Sequence, residues 1–295
     1  MRKIKIILIW VLITSPFTIL FILVRLTAGG VFGELPTFDQ LENPKNNLAT
    51  EIISEDGKIL GKYFFENRSK VKYNELPQNL VDALIATEDI RFRDHSGVDS
   101  RALLRAIFGV ITLKSNSGGA STITQQLAKM LFTEKPSTGI ERVMQKLKEW
   151  IISAQLEKRY TKNEIITMYL NRFDWVNNAV GIKSASRVYF NKEPADLEIQ
   201  ESAVLVGMLK NPALYNPNRR IDITKDRRNV VLKQMNKYGF ITDSISVFLQ
   251  TEEIKLDFKK ASHNEGLAPY FREYLRGELK KWCKNKKTPR KTFFR

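Results

Sequence analysis

From Pro77 onward, apolar residues recur at the spacing of a helix in nearly every segment of this 295-residue chain. Leu80, Ala83 and Leu84 begin the pattern, and Pro77 fits the first turn of the helix that they define. The clearest amphipathic helix is predicted over Gly139 to Lys158. The periodicity predicts a mainly α fold. We expect the long helix to bury an apolar stripe made of Ile140, Val143, Leu147, Trp150, Ile151 and Ala154.

The segment before Pro77 has a different pattern. Two short apolar stretches between Ala49 and Phe65 flank Glu55-Asp56-Gly57, which is a typical turn sequence. We expect a small β-hairpin there. Gly29 to Asn47 is rich in Gly, Pro and Asn and is predicted to be a linker.

At the amino terminus, Ile6 to Val24 contains nineteen residues without a charge. A helix of that length reaches about 28 Å, enough to span a hydrocarbon core. Arg2, Lys3 and Lys5 precede the stretch, and this bias predicts a cytoplasmic amino terminus and an extracytoplasmic, periplasmic remainder. We therefore expect a retained single-pass anchor in the inner membrane. A buried core helix is the alternative.

The chain carries 48 Lys and Arg against 32 Asp and Glu, a net charge of +16. Such an excess favours an anionic partner, which can be nucleic acid, an acidic membrane surface or a phosphorylated substrate. With one cysteine and two histidines, the chain has no intrachain disulfide and no histidine-based zinc motif.

Ala86 to Gly97 gathers acidic, basic and aromatic residues where the first predicted helix ends. Glu88 is expected in its last turn, beside a loop that carries His95. The next helix is expected to begin with Asp99 or Ser100 as its cap. A charged turn with a surface histidine explains this stretch as well as an active site does.

Three further patterns bear on function. Ser121 or Thr122 is predicted to cap a helix. Leu103 to Leu113 is apolar almost all round and is either core or a surface that dips into a membrane. One face of the Gly139 to Lys158 helix carries a row of polar residues, which are Arg142, Lys146, Glu149 and Ser153. The row is either part of a functional site or a set of solvent-exposed salt bridges.

Taken in order, five motifs resemble those of the peptidoglycan glycosyltransferases, glycosyltransferase family 51, the domain shared by class A penicillin-binding proteins and monofunctional transglycosylases. The resemblance covers roughly Ile52 to Tyr274. The matching residues, motif by motif, are Glu88-Asp89, Phe92, His95 and Gly97; Gly119 to Gln126; Lys146 and Glu149; Lys162, Ile165, Tyr169, Leu170 and Asn171; and Arg227, Val231 and Leu232.

The resemblance implies a lysozyme-like helical domain. It also implies that this domain polymerises lipid II into β-1,4 glycan strands, with inversion of configuration at the anomeric carbon and release of lipid pyrophosphate. It implies that Glu88 is the general base and that Glu149 is a second catalytic carboxylate. His95, Gly97 and Asn171 are expected to be structural. The residues expected to bind substrate are Asp89, Phe92, Ser121, Thr122, Gln125, Gln126, Lys129, Arg142, Lys146 and Lys148.

Two departures from the family pattern stand out. Gln145 replaces an arginine that is expected to meet phosphate, so this cation is either missing or supplied by Arg142 one turn earlier. Thr167 replaces a glutamate that looks structural in the family. The motifs of a transpeptidase domain do not follow, so we expect either a monofunctional protein or the front part of a bifunctional one.

These observations predict four regions: a cytoplasmic tip and transmembrane anchor at 1–28, a linker and hairpin at 29–75, the catalytic domain at 76–250, and a linker-like helix with a basic tail at 251–295. The expected partners are lipid II, the growing glycan chain and the membrane, with other cell wall synthesis proteins left open and nucleic acid excluded. The sequence assigns no cofactor, and a divalent cation such as Mg²⁺ at the pyrophosphate is left open. A glycan hydrolase and a catalytically degenerate membrane-tethered scaffold are the alternative functions.

Overall fold

The computed structural model describes residues 2–37, 41, 50–53, 55, 59–63, 70–111, 121–133, 136–259 and 269–285. The described part is mainly helical, as the periodicity predicts. Its helices and strands are α1 (Arg2–Ala28), β1 (Thr50–Ile53), β2 (Ile59–Tyr63), α2 (Gln78–Glu88), α3 (Ser100–Ile111), α4 (Ile123–Phe132), α5 (Gly139–Glu157), α6 (Lys162–Arg172), α7 (Ile182–Phe190), α8 (Ile199–Met208), α9 (Ile221–Lys237), α10 (Asp243–Thr251) and α11 (Pro269–Asn285).

The chain divides into two compact units, each built from two separate stretches of sequence. The first unit consists of Met1–Pro44 and Arg91–Ile165. The second consists of Lys45–Ile90 and Ile166–Arg295. Glu88 therefore belongs to the second unit, whereas the second predicted motif belongs to the first. The boundary between the units also passes through the fourth motif, after Ile165.

Short polar residues begin the main helices of the first unit. The Thr122 hydroxyl accepts a hydrogen bond from the Gln125 amide at 3.1 Å and caps α4. Thr138 and Glu141 form a reciprocal capping box at the start of α5. Because these bonds satisfy amides that have no partner inside the helix, they fix where each helix begins.

Helix α5 buries only part of the predicted apolar stripe. Of the expected apolar stripe, Ile140 is 74% exposed and Val143 is 53% exposed. Helix α5 packs against α4 and α1, and its buried residues are Leu147, Glu149, Ile152, Ser153 and Leu156. The prediction was wrong for Ile140 and Val143, in the first turns of the helix, and holds for Leu147. Burial of Glu149 and Ser153 is tolerated because both are hydrogen-bonded, which removes most of its cost.

The core of the second unit surrounds α8, which packs against α2 and α9. Every residue of α8 from Ser202 to Met208 is buried. Gly207 allows the close approach of α9, since a Cβ there would lie 3.2 Å from Cγ of Arg227. The indole of Trp175, which is fully buried, donates to the carbonyl of Leu205 at 2.9 Å.

A charged side chain also belongs to this core. Arg228 on α9 is fully buried, and its guanidinium donates to the carbonyls of Glu252 at 2.8 Å and Gln250 at 3.2 Å. These carbonyls follow the end of α10 or lie in its last turn, where they lack helical partners. Burial lowers the pKa of Arg228 from its usual value. The guanidinium thus replaces a helix cap.

Strands β1 and β2 pair antiparallel, with Thr50 opposite Tyr63. Between them only Glu55 is described, so the predicted turn at Glu55-Asp56-Gly57 lies outside the described residues. The Leu103 to Leu113 stretch forms α3 as far as Ile111. Its side chains beyond Arg105 are outside the description, and its contact with lipid stays a prediction.

Helix α1 covers the uncharged stretch of the sequence. Within the described part of the chain, no helix combines the length and the apolar character that crossing a membrane needs. The side chains of residues 7–9, 12–13 and 16–17 lie outside that description. The membrane anchor at 1–28 stays a prediction.

Candidate active site

A loop of residues 91–99, without helix or strand, carries most of the first motif and is fixed at two backbone carbonyls in the first unit. The Thr122 hydroxyl donates to the carbonyl oxygen of Gly97 at 2.7 Å, and the side-chain amide of Gln125 donates to the same oxygen at 3.2 Å. Lys162 donates its ammonium to the carbonyl of His95 at 2.5 Å. The second and fourth motifs thus hold the first.

Gly97 is required by both backbone conformation and space. Its φ is +91°, in the left-handed region that favours glycine. A Cβ on Gly97 would lie 2.8 Å from the carbonyl carbon of Ser153 on α5. The Gly97 amide donates to Nδ1 of His95 at 3.2 Å, so the imidazole turns back onto its own loop.

Three residues predicted to bind substrate are buried under this loop. Phe92 is fully buried, Thr122 is 2% exposed and Gln125 is 1% exposed. The Gln125 side-chain oxygen is buried without a hydrogen-bond partner among the described residues. These side chains hold the loop in place, and direct contact with a substrate stays a prediction for them.

The far end of the loop is closed by an ion pair that also caps α3. Asp99 accepts from the Ala102 amide at 3.0 Å and from the Arg91 guanidinium at 2.7 Å. Burial alone raises the pKa of Asp99, but the Ala102 amide and Arg91 outweigh it and hold that pKa below the usual value. The charged form of the Asp99 carboxyl therefore stabilises the folded protein.

Polar side chains of the second and third motifs meet beside the loop. The Lys146 ammonium donates to Oγ of Ser121 at 2.7 Å and to a carboxylate oxygen of Glu149 at 3.0 Å. Glu149 is 5% exposed, Lys146 is half-buried and Ser121 is exposed. A buried carboxylate thus keeps an accessible ammonium next to a hydroxyl. This ammonium–hydroxyl pair can donate to an anion.

The other predicted cations, which are Lys129, Arg142 and Lys148, have different surroundings from Lys146. Lys148 points to the turn after α1, since a Cβ on Gly33 would lie 2.8 Å from its ammonium. Lys129 on α4 and Arg142 on α5 are exposed. Arg142 precedes Lys146 by one turn, which puts the two on the same side of the helix. The structure therefore separates Lys148 from the Lys146 cluster.

Gln145, which stands where the family has arginine, is engaged elsewhere. Its amide donates to the hydroxyl of Thr133 at 3.0 Å, and that hydroxyl donates to the carbonyl of Lys129 at 2.9 Å. Gln145 thus joins the end of α4 to α5. Gln126, the remaining predicted ligand on α4, is half-buried.

Glu88 and Asp89 belong to the second unit. Glu88 is the last residue of α2 and is half-buried, while Asp89 follows it and is buried. Tyr169 of α6 is fully buried, and its burial together with the charge of Glu88 raises its pKa well above the usual value. Since Glu88 and Glu149 lie in different units, their meeting across one cleft stays a prediction.

Asn171 has a backbone-like role in the second unit. Its side chain accepts from the amide of Val71 and donates to the carbonyl of Val71, both at 2.9 Å. Gly181, with a φ of +83°, lies against the carbonyl of Asn171. The residue therefore fixes the segment that leads into α2.

Among the described residues, no group of three or more His, Cys, Asp or Glu side chains is placed to hold a metal. One Glu149 oxygen is already taken by Lys146. We derive no chemical step through a metal, and Mg²⁺ at the pyrophosphate stays a prediction.

The sequence matches the Transglycosylase family over residues 56–236. The chain belongs to this family. It is 37% identical over 229 residues to penicillin-binding protein 1F of Bacillus subtilis (strain 168), covering 78% of the chain and 31% of that protein. It is 35% identical over 263 residues to penicillin-binding protein 1A of Escherichia coli (strain K12), covering 87% of the chain and 30% of that protein.

The chain thus spans about a third of the length of these relatives. The crystal structure of penicillin-binding protein 1A from Haemophilus influenzae is 21% identical in sequence, with 80% of this chain and 24% of that chain covered. Its TM-score is 0.42, too low to carry an argument.

We expect Gly97→Ala to lower the free energy of unfolding by about 2 kcal/mol or more, because the new methyl group meets the backbone of Ser153 and φ is positive. Gly139→Ala is the matched control, since a Cβ there meets nothing within 4 Å. Urea denaturation of both variants measures the difference. Equal effects would contradict the packing argument.

Asp99→Asn should destabilise the protein by about 1 kcal/mol at neutral pH, because it weakens the α3 cap and removes the charge that pairs with Arg91. The folded-state pKa of Asp99 is lowered, so its contribution is present above the ordinary value of 3.8 and disappears as the pH falls through the lower folded value. The gap between wild type and variant should therefore close in acid. Thermal unfolding across pH measures it, with the exposed Asp94→Asn as the control.

Proposed function

We propose that this chain is a peptidoglycan glycosyltransferase that polymerises lipid II into β-1,4 glycan strands and releases lipid pyrophosphate. The observation that carries the proposal is the contact of Lys146 with Ser121 and Glu149 in a chain of the transglycosylase family. An ammonium held by a buried carboxylate beside an exposed hydroxyl suits a pyrophosphate leaving group, because both the ammonium and the hydroxyl can donate to anionic oxygen.

In the proposed reaction, Glu88 accepts the proton of the acceptor sugar's 4-hydroxyl as that oxygen attacks the anomeric carbon of the donor chain. The bond to the pyrophosphate breaks on the opposite face, which inverts the configuration. Lys146 and Ser121 donate to the departing pyrophosphate, and Arg142 and Lys129 add positive charge. Glu149 keeps the Lys146 ammonium oriented. Asp89 and Gln126 are proposed to complete the sugar contacts.

We also propose that the reaction takes place at the outer face of the inner membrane. The substrate is lipid-linked, and the sequence of α1 has nineteen uncharged residues after a basic amino terminus. The basic balance of the chain, +16, also favours an anionic substrate or surface. We further propose other cell wall synthesis proteins as partners.

Glu88→Gln should lower the rate of glycan polymerisation by about 100- to 10,000-fold, since the amide cannot accept the hydroxyl proton. The assay follows labelled lipid II into polymer, and circular dichroism checks the fold. Glu253→Gln, at an exposed site of the same unit, is the control. Near-normal polymerisation by Glu88→Gln would remove this residue as the base.

Incubation with preformed glycan strands tests the two other functions. A hydrolase releases fragments from those strands, whereas a glycosyltransferase leaves them intact and extends lipid II. A scaffold without activity does neither. The proposed function requires extension without fragment release.

Lys146→Gln should lower kcat/KM for lipid II by about 100-fold or more, because the pyrophosphate loses a preorganised donor. Lys148→Gln should have a much smaller effect, since its ammonium lies against Gly33. Initial rates at several lipid II concentrations separate the two variants. Equal losses would show that the position of Lys148 in the structure does not decide its role.

A further inference from the structure

Lys162, the first residue of α6, makes three contacts within the first unit that the proposed chemistry does not use. Its ammonium donates to the carbonyl of His95 at 2.5 Å and to the carboxylate of Glu157 at 2.8 Å. It also lies 4.4 Å from the centre of the Phe92 ring. The side chain is only 20% exposed, so these contacts account for most of its surroundings.

The carboxylate that pairs with Lys162 is itself held. The Glu157 side chain is 5% exposed and accepts a hydrogen bond from the Thr124 hydroxyl at 2.6 Å. One ammonium therefore connects the loop of residues 91–99 to the end of α5 and the start of α4. Because a buried carboxylate without a partner is costly, the ammonium is needed for Glu157 as well as for the loop.

We propose that Lys162 is a positioning residue for the reaction: its ammonium fixes the loop of residues 91–99 at the His95 carbonyl and so sets the turnover rate without touching the substrate. The proposal rests on the proposed function. Only Ile90 separates the loop from Glu88 and Asp89 in the chain, so the loop is covalently linked to the proposed base within a few residues. Binding of lipid II through Lys146 and Ser121 does not involve Lys162.

His95 reports the state of this loop. Its Nδ1 accepts from the Gly97 amide, which leaves the ring proton on Nε2 in the neutral form. The chain has only two histidines, and His263→Gln removes the other signal. Nitrogen-15 spectra of the ring therefore detect whether the loop keeps its conformation.

The test compares Lys162→Met and Lys162→Arg with Lys158→Met, which changes an exposed lysine at the end of α5. In the full chain, well below the unfolding temperature, Lys162→Met should lower kcat by about 100-fold with KM for lipid II within twofold, because misplaced reacting groups lose rate more than binding. Its His95 Nδ1 signal should lose the hydrogen-bonded position. Lys162→Arg should restore part of both, and Lys158→Met should change neither.

A lower unfolding temperature for Lys162→Met with normal kcat and an unchanged His95 signal would overturn the proposal, since the lysine would then only stabilise the fold. If Lys162→Met does not fold, Lys162→Arg and Glu157→Gln take its place, and normal kcat in both overturns it. If the wild type itself does not extend lipid II, the proposed function fails. The His95 signal then decides separately whether Lys162 positions the loop.

Discussion

The first unit depends on two backbone carbonyls of a loop that has no helix or strand to organise it. The carbonyl of Gly97 receives two side-chain donors from the start of α4, and that of His95 receives the ammonium of Lys162. A loop carbonyl taken out of water needs such donors, because leaving it unpaired costs about 1–3 kcal/mol. A threonine and a glutamine of the second motif and a lysine of the fourth therefore meet at one loop for a physical reason, which is to satisfy its backbone.

The helix ends were the most predictable part of the fold, because capping depends on residues three positions apart. Glu88 ends α2, as the sequence predicts. Asp99 caps α3 and Thr122 caps α4, each being one of the two candidates that the sequence offers for that cap. The buried face of α5 was not predictable in the same way. Apolar spacing alone favoured Ile140 and Val143. The structure instead buries Glu149 and Ser153, and the backbone of Ser153 packs against Gly97, a contact between distant parts of the sequence.

The candidate site shows the same limit. The spacing of Lys146 and Glu149 places them on one face of a helix, and the structure pairs them. Nothing in the sequence shows that Ser121, 25 residues away, completes the cluster, or that Gln145 turns to Thr133. The link from Thr124 through Glu157 to Lys162 has no local signal either, since Thr124 and Glu157 are 33 residues apart. The pairing of Glu88 with Glu149 remains a prediction from the family resemblance.

The four tryptophans are distributed unequally between interior and surface, and this gives the protein an optical property. Trp175 is fully sealed in the second unit with its indole bonded to a carbonyl, whereas Trp10 and Trp282 are at least half exposed and Trp150 is half-buried. A soluble quencher such as iodide reaches the exposed Trp282 and leaves the buried Trp175 emitting at short wavelength. Once Trp10 and Trp150 of the first unit are replaced, the remaining blue fluorescence reports on the second unit, separately from events around the loop of the first.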